Sequence, residues 1–350
     1  MSVDSLQLAV YFGESDRVGG RLLSDALVDL FEEHRLHAAV LVRAAEGFGM
    51  TQTLRTDRFL TLSEDLPLLA VAVDERARIE ATLPRVAQLV TGGLVTVERA
   101  RLLDGGLAVP RGPAGEEAKL TVYLGRDERV GGRPAYVDVV EHLRGHGVAG
   151  ATVLLGVDGM AHRSRRRARF FARNENVPLA IVSIGAEDAL VRALPYLDDV
   201  LADPIATLER VRVCKRDGRR LADPHRTGDA RGGWQKLTVY AGEQARHGGR
   251  PLHLELIRRL REQGAGGATS ARGIWGFSGD RRPHGDSLLR VRRRVPVVTT
   301  IVDAPERCAR WFATVDAVTD EAGLVTSELV PAFLAVGRGR RVGPLAAALT

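Results

Sequence analysis

The chain has 350 residues, 45% of them hydrophobic, and a formal net charge of +6 from 50 basic and 44 acidic side chains. That length holds two or three ordinary domains, and that composition fills packed cores and excludes wholesale disorder. No apolar run approaches the roughly 20 residues that a membrane helix needs.

The N-terminus, Met1 to Val10, has neither a basic leader nor a long apolar stretch, so no signal peptide is expected. Cys214 and Cys308 have no matching partners and fit a reduced, cytoplasmic protein. Only three basic residues are lysine (Lys119, Lys215 and Lys236); the other 47 are arginine. This reads as coding bias. With no aromatic-interleaved basic stripe, nucleic acid is not an expected partner.

In chain order, one pattern appears three times. Val10 to Arg21 reads VYFGESDRVGGR, Val122 to Arg133 reads VYLGRDERVGGR, and Val239 to Arg250 reads VYAGEQARHGGR. Tyr11, Tyr123 and Tyr240 are separated by 112 and then 117 residues, the length of a small domain. Each copy predicts a first strand (Leu6–Phe12, Lys119–Leu124, Lys236–Ala241), in which Leu120, Val122 and Leu124 face one way and Lys119, Thr121 and Tyr123 the other. A Gly-rich turn and a helix follow, near 22–35, 134–146 and 251–263, with Pro134 and Pro251 suited to a first helical turn.

A second strand comes next (Ala38–Val42, Ala151–Leu155, Ala268–Arg272), then a long arm (Glu46–Ser63, Asp158–Asn174, Trp275–Arg294). The third strands start at Pro67, Pro178 and Pro296. Second helices cover 75–91, 186–202 and 304–320. Last strands run Leu94–Leu102, Ala206–Val213 and Leu324–Val330.

The order β-α-β-β-α-β predicts an α+β fold of three tandem ferredoxin-like domains. The repeats are placed at 1–103, 119–213 and 236–334, with surface linkers at 104–118 and 214–235 and a loosely ordered tail at 335–350. The third strands are apolar on both faces, as in Leu68 to Val73. Helices cover one face of each sheet, so the other is expected to meet a neighbouring sheet.

The chain carries Tyr11-x-Gly13, Gly47-Phe48-Gly49, Leu62 to Pro67 and Gly92 to Thr96 in the first copy. The second has Gly147 to Val153. The third has Gly266 to Thr269 and Arg272 to Phe277. Together these resemble the PII-like (GlnB-like superfamily) domain-of-unknown-function family 190, over nearly the whole chain. The resemblance implies trimers of ferredoxin-like units whose clefts hold small ligands, often adenine nucleotides, beneath a long loop after the second strand. One chain would here supply all three lobes as a monomeric pseudo-trimer. The sequence departs from the PII signature TGxxGDGKIF, of which Thr91-Gly92-Gly93 is a partial echo.

Candidate ligand residues follow from recurrence. Gly19-Gly20-Arg21, Gly131-Gly132-Arg133 and Gly248-Gly249-Arg250, with Arg17 and Arg129 nearby, precede helix starts, where backbone N–H groups can hold an anion. The competing reading is a tight turn whose arginines pair with carboxylates. In the arms, Gly47, Gly49 and Gly276 could let a ligand approach, and Arg163 and Arg165 in the run to Arg169 could take phosphate. Arg99 with Arg101, and Arg210 with Arg212, share strand faces. By resemblance they suit phosphate; otherwise they bridge to Glu98 or Glu209. Asp138, His142 and His146 follow helical spacing without a third convincing metal ligand, so neither metal nor catalytic residues are expected.

The expected function is non-enzymatic: a cytoplasmic signalling protein that binds a small anionic ligand between lobes, with an adenine nucleotide as the class to test and a protein partner on the arms. The alternative is a ligand-independent accessory module. Family members are often encoded near small fluoride channels, which suggests a membrane transport protein as the partner.

Overall fold

The computed structural model describes residues 3–50, 52–57, 65–104, 106–107, 115–161, 163–167, 177–225, 233–278, 283–285, 295–319, 323–337 and 339–347. The side chains of residues 3, 164, 166, 167, 284, 285, 346 and 347 are outside that description.

Each repeat forms one antiparallel sheet with strand order last–first–third–second. In repeat 1 the first strand (Val3–Gly13) lies between the third (Pro67–Glu75) and the last (Gly93–Leu103), and the third also pairs with the second (Ala38–Arg43). Repeats 2 and 3 repeat this pairing around first strands Glu117–Gly125 and Trp234–Gly242. The helices are α1 (Leu23–Glu33) and α2 (Arg76–Leu89), α3 (Ala135–Gly145) and α4 (Glu187–Val200), and α5 (Leu252–Glu262) and α6 (Pro305–Val318). In α1 the buried residues Leu23, Ala26, Leu27, Leu30 and Phe31 form a single stripe at helical spacing, and that stripe packs on the sheet.

Strand alternation then divides each sheet between two cores. Leu120, Val122 and Leu124 turn towards α3 and α4. Lys119, Thr121 and Tyr123 turn the other way yet are also buried. The sheets' second faces meet one another: Val40, Val73 and Ala100 of repeat 1, Tyr123, Leu154 and Ile205 of repeat 2, and Ala271 of repeat 3 share one cluster. The two-sided burial expected of the third strands is therefore present, and its cause is a neighbouring sheet.

The sheets are also joined edge to edge, in rotation. The end of repeat 1's last strand (Arg101–Leu103) pairs with the start of repeat 2's (Ala206–Leu208). The end of repeat 2's last strand (Arg212–Arg216) pairs with the start of repeat 3's (Leu324–Ser327). The strand Ala332–Gly337 closes the circuit by pairing with Gly93–Val97 of repeat 1.

Two sequence expectations change here. The tail from 335, expected to be loose, continues this closing strand into a hairpin at Arg340–Val342. Leu334 and Val336 are buried in the repeat 1 core, which supplies the stability that a polar-looking tail lacks alone. The linker expected from Cys214 begins later, because repeat 2's last strand runs to Arg216 and Cys214 is buried in the repeat 3 core. Residues 105, 108–114 and 226–232 of the two linkers lie outside the described residues. No helix among the described residues is long and apolar enough to cross a membrane.

At the centre of the three sheets sits a buried ring of charge. Lys119 bridges Glu209 (2.9 Å) and Glu328 (2.5 Å), while Lys236 bridges Glu328 (3.1 Å) and Glu98. All five side chains are under a tenth exposed. Taking charges out of water is costly, and close opposite charges offset it only when the geometry is good.

Candidate functional site

The recurring Gly-Gly turns are built first. Gly19, Gly131 and Gly248 have φ of +55°, and Gly20, Gly132 and Gly249 have φ of +79° to +83°. Two successive left-handed residues make a type I′ hairpin turn, and Arg17–Val18 pairs with Arg21–Leu22 across it. The same hairpin forms in repeats 2 and 3. A side chain at any of these six glycines would meet nothing within 4 Å, so glycine serves the backbone conformation.

The turn's polar groups are directed inward. Leu23, Ala135 and Leu252, the first helical residues, donate N–H to Asp16, Glu128 and Ala245 carbonyls at 2.8–2.9 Å. Arg21, Arg133 and Arg250 pair with Asp29 (2.5 Å), Glu141 (3.0 Å) and Glu255 (3.8 Å) on their own helices. Arg17 donates to the Gly20 carbonyl, and Arg129 to those of Arg126 and Glu128. These contacts match the turn reading, in which the arginines pair with carboxylates and the first helical N–H is taken by the turn.

The arms begin as strands on a neighbouring repeat, which the sequence did not suggest. Glu46–Phe48 pairs with Ala268–Ser270 of repeat 3, Asp158–Ala161 with Ala38–Leu41 of repeat 1, and Trp275–Ser278 with Gly150–Val153 of repeat 2. A Cβ on Gly47, Gly159 or Gly276 would come within 2.7, 2.2 and 2.1 Å of the Ala268, Ala39 and Ala151 carbonyl oxygens. Gly47 and Gly276 thus admit a neighbouring backbone. The residue after each glycine plugs the neighbour's helix-side core: Phe48 in repeat 3, Met160 in repeat 1, Phe277 in repeat 2. These triplets keep the tyrosine spacing, a signal available in the sequence.

Beyond these shared joints two clefts diverge. In the cleft between repeats 2 and 1, Arg165 reaches Asp158 of its own arm (2.8 Å) and Asp29 (2.5 Å) and Glu32 (3.5 Å) of α1. Arg163 sits exposed at the hairpin tip with φ +61°, its N–H on the His37 carbonyl. The side chains of Arg166 and Arg167, and residues 168 and 169, lie outside the described residues. In the cleft between repeats 1 and 3, α5 carries Arg258 and Arg261 where α1 carries Asp29 and Glu32. Here a cavity of about 800 Å³ opens, lined by Met50, Gln52, Arg258, Arg261 and Arg307 among others.

The cavity's walls are held in place. Gln52 donates its amide to the Ala265 carbonyl (2.7 Å), and Arg261 Nε donates to the Gln52 carbonyl (3.0 Å). Arg307 donates to the Gly264 carbonyl (2.5 Å), and Arg258 pairs with Glu255 and Glu262. Met50 and Gly266 also border a second, largely apolar hollow of about 60 Å³ with Phe48, Gly49, Leu94 and Trp234. Gly49 would accept a Cβ without contact, so it does not serve a close approach here.

The last-strand arginines stand apart from this cleft. Strand alternation sends Glu98 and Glu209 inward to the lysines and Arg99 and Arg210 outward to solvent. The expected bridges from these arginines to Glu98 or Glu209 are therefore replaced. Arg210 pairs with Glu116 at 3.0 Å, and Arg101 and Arg212 are half-buried. On α3, Asp138 accepts from Tyr196 Oη at 2.6 Å and His142 stacks on Tyr196, which engages two members of the helical trio in packing. Burial lowers the His142 pKa. The Cys214 thiol is pushed up to about 12 by burial, so it is a core group rather than a nucleophile.

The sequence singled out Gly47, Gly49 and Arg165 near these clefts but not Gln52, Arg258, Arg261 or Arg307. The available signal was α5 itself, whose arginines replace α1's acids position by position.

With this geometry in view, comparisons with known proteins are informative. A family profile described as "Uncharacterized ACR, COG1993" (DUF190) matches residues 5–102, 117–213 and 234–332. A UPF0166 protein of Aquifex aeolicus (strain VF5) is 29% identical over 92 residues, 26% of this chain and 86% of its own. A UPF0166 protein of Methanocaldococcus jannaschii is 29% identical over 82 residues, 23% of this chain and 76% of its own. Each relative thus matches about one repeat. A crystal structure of aspartate kinase from Synechocystis overlaps 94% of this chain at 11% identity and a TM-score of 0.28. This chain spans about half (52%) of that kinase chain, and so low a score carries no argument. Three successive matches cover most of the sequence, and the chain belongs to the PII-like DUF190 family as three tandem copies.

Proposed function

We propose that this chain is a PII-like regulatory protein in which three ferredoxin-like lobes form a pseudo-trimer within one polypeptide. It takes a small anionic ligand in the cleft between the repeat 1 arm and repeat 3. The observation that carries this reading is the cavity of about 800 Å³ with Arg258, Arg261 and Arg307 in its wall, beside a hollow edged by Phe48, Leu94 and Trp234. An anion would lie against the guanidinium groups, and an apolar ring edge would enter the hollow. Adenine nucleotides combine these two features and are the class to test first.

The role is binding and signalling in the cytoplasm rather than catalysis. Because Gln52 and Met50 of the arm form part of the wall, a bound ligand would bias the arm's position and thereby its contact with a protein partner. A membrane transport protein remains the partner class to test by capture with and without ligand.

Titration calorimetry of the full chain against ATP, ADP, AMP, pyrophosphate and sulfate tests the reading. Binding at one site per chain, weakened tenfold or more by Arg261→Glu, is expected; tenfold corresponds to about 1.4 kcal/mol. Absence of heat with every ligand, or binding that ignores Arg261→Glu, overturns it. Light scattering should give the 37.9 kDa of one chain.

A further inference from the structure

The central ring is one positive charge short. Glu98, Glu209 and Glu328 occupy matching positions on the three last strands, and their carboxylate oxygens lie within 4.8 Å of one another. Lys119 and Lys236 occupy matching positions on the first strands of repeats 2 and 3. In repeat 1 that position is Gln7, paired across the sheet with Glu98. Each lysine bridges its own repeat's glutamate to the next one in the circuit, so Gln7 stands where a third ammonium would bridge Glu98 and Glu209.

Three carboxylates and two ammoniums, all ionised, would leave one uncompensated negative charge in a buried core. Among the described residues that line the surrounding cavity, no cation other than these two lysines is present. Tyr11, Tyr123 and Tyr240 line the same cavity of about 100 Å³, and they are neutral donors. Burial pushes the Tyr11 hydroxyl up to about 12 and raises the other two further. Tyr123 Oη lies 3.5 Å from Oε1 of Gln7. Oε1 of Glu328 is buried without a hydrogen-bond partner among the described residues.

We propose that this ring is a buried proton site, in which the folded chain carries one proton on Glu209, at the gap where Gln7 replaces a third lysine. The proton comes from solvent and turns one carboxylate into a carboxylic acid, so the ring becomes neutral. Glu328 is not the carrier, because both lysines bond it; Lys119 and Lys236 overcome the burial that pushes its carboxyl up and hold it at about 2. Glu98 and Glu209 each have a single lysine, but Lys236 lies closer to Glu98 than to Glu328, whereas Lys119 lies closer to Glu328 (2.5 Å) than to Glu209 (2.9 Å), so Glu209 is the less compensated of the two. Burial together with the nearby Glu328 charge raises its carboxyl above the ordinary range.

The pH dependence follows in sign. A carboxyl with a raised folded pKa contributes most below its unfolded value, here about pH 4.5, and its contribution is lost as pH rises through the folded value. Glu328 acts oppositely, and its stabilisation is lost as pH falls from about 4.5 towards about 2.

Infrared spectroscopy of the full chain in heavy water at neutral pH tests the proposal directly, since a protonated carboxyl absorbs apart from carboxylates. The wild type should show one protonated carboxyl band, and Glu209→Gln should lose it while raising the denaturation midpoint at neutral pH, because wild-type folding there must take up a proton that the glutamine does not need. Gln7→Lys should also lose the band, because the added ammonium replaces the proton. Glu328→Gln should lower the midpoint. A wild-type chain without the band overturns the proposal, and this holds whether or not any variant folds. So does a band that survives in Glu209→Gln, or stabilisation by added sodium or ammonium ions that restores charge balance without a band.

Discussion

The arms of repeats 1 and 2 begin alike and end differently. Each crosses to a neighbour as a short strand, brings a glycine against that neighbour's backbone, and buries the next side chain in its core. After that, repeat 2's arm delivers Arg165 to the acids of α1, whereas repeat 1's arm meets the arginines of α5 and leaves a cavity. The backbone joint is therefore the common inheritance of the copies. The side chains at two helix positions, Asp29 and Glu32 against Arg258 and Arg261, decide whether a joint is sealed or open.

The sharpest way to break the common part is at its glycine. Gly159 has φ of +155° and no room for a Cβ, which would lie 2.2 Å from the Ala39 carbonyl. Gly159→Ala should destabilise the chain by about 3 kcal/mol, read as a lower denaturation midpoint. Gly49→Ala, two residues beyond the equivalent Gly47 and facing open space, should leave that midpoint unchanged. Equal losses at the two positions would mean that the arm strands do not hold the repeats together.

The open part is tested by exchanging charge. Arg258→Asp with Arg261→Glu copies the α1 pattern into α5 and should abolish anion binding in the cleft, by about 2 kcal/mol or more in calorimetry. In the other cleft, Arg165→Gln removes the guanidinium from Asp158 at a largely buried site and should cost about 1 kcal/mol. Faster amide exchange confined to residues 158–161 would show the arm loosening there.

The same contrast explains what was legible in the sequence. Local pattern gave strands, helices and the hairpin turn of Gly19-Gly20, because alternation and paired glycines act within a few residues. The helix-side core was equally readable from α1's apolar stripe. What depended on another repeat was harder to read. Gly47 looked like a place for a ligand because nothing local says that Ala268 lies behind it. Alternation puts Lys119 on the sheet's second face, but nothing local names its partner Glu328, 209 positions away. The spacing of Gly47, Gly159 and Gly276 did carry that information, since it repeats the tyrosine offsets. It marks positions that face the next copy, and it could have been read as a joint. Arg258 and Arg261 were hidden for a different reason. They matter through their difference from the acids of α1, and recurrence draws attention to what is the same.

The smallest effect belongs to the most conspicuous feature. Arg21 completes the repeated Gly-Gly-Arg turn, yet its guanidinium pairs with Asp29 at a site where both side chains are about half exposed. An exposed pair of this kind contributes less than about 0.5 kcal/mol once solvent screening and side-chain entropy are included. Arg21→Gln should therefore barely move the denaturation midpoint and should leave anion affinity unchanged. The mutation also has a second consequence that separates architecture from site. Asp29 accepts from Arg165 as well as Arg21, so removing Arg21 leaves the carboxylate still bonded to the neighbouring arm. Exchange at 158–161 should stay slow in Arg21→Gln and quicken in Arg165→Gln. If Arg21→Gln instead weakened anion binding, the turn would be part of a ligand site, and the division between a common joint and a divergent cleft would fail.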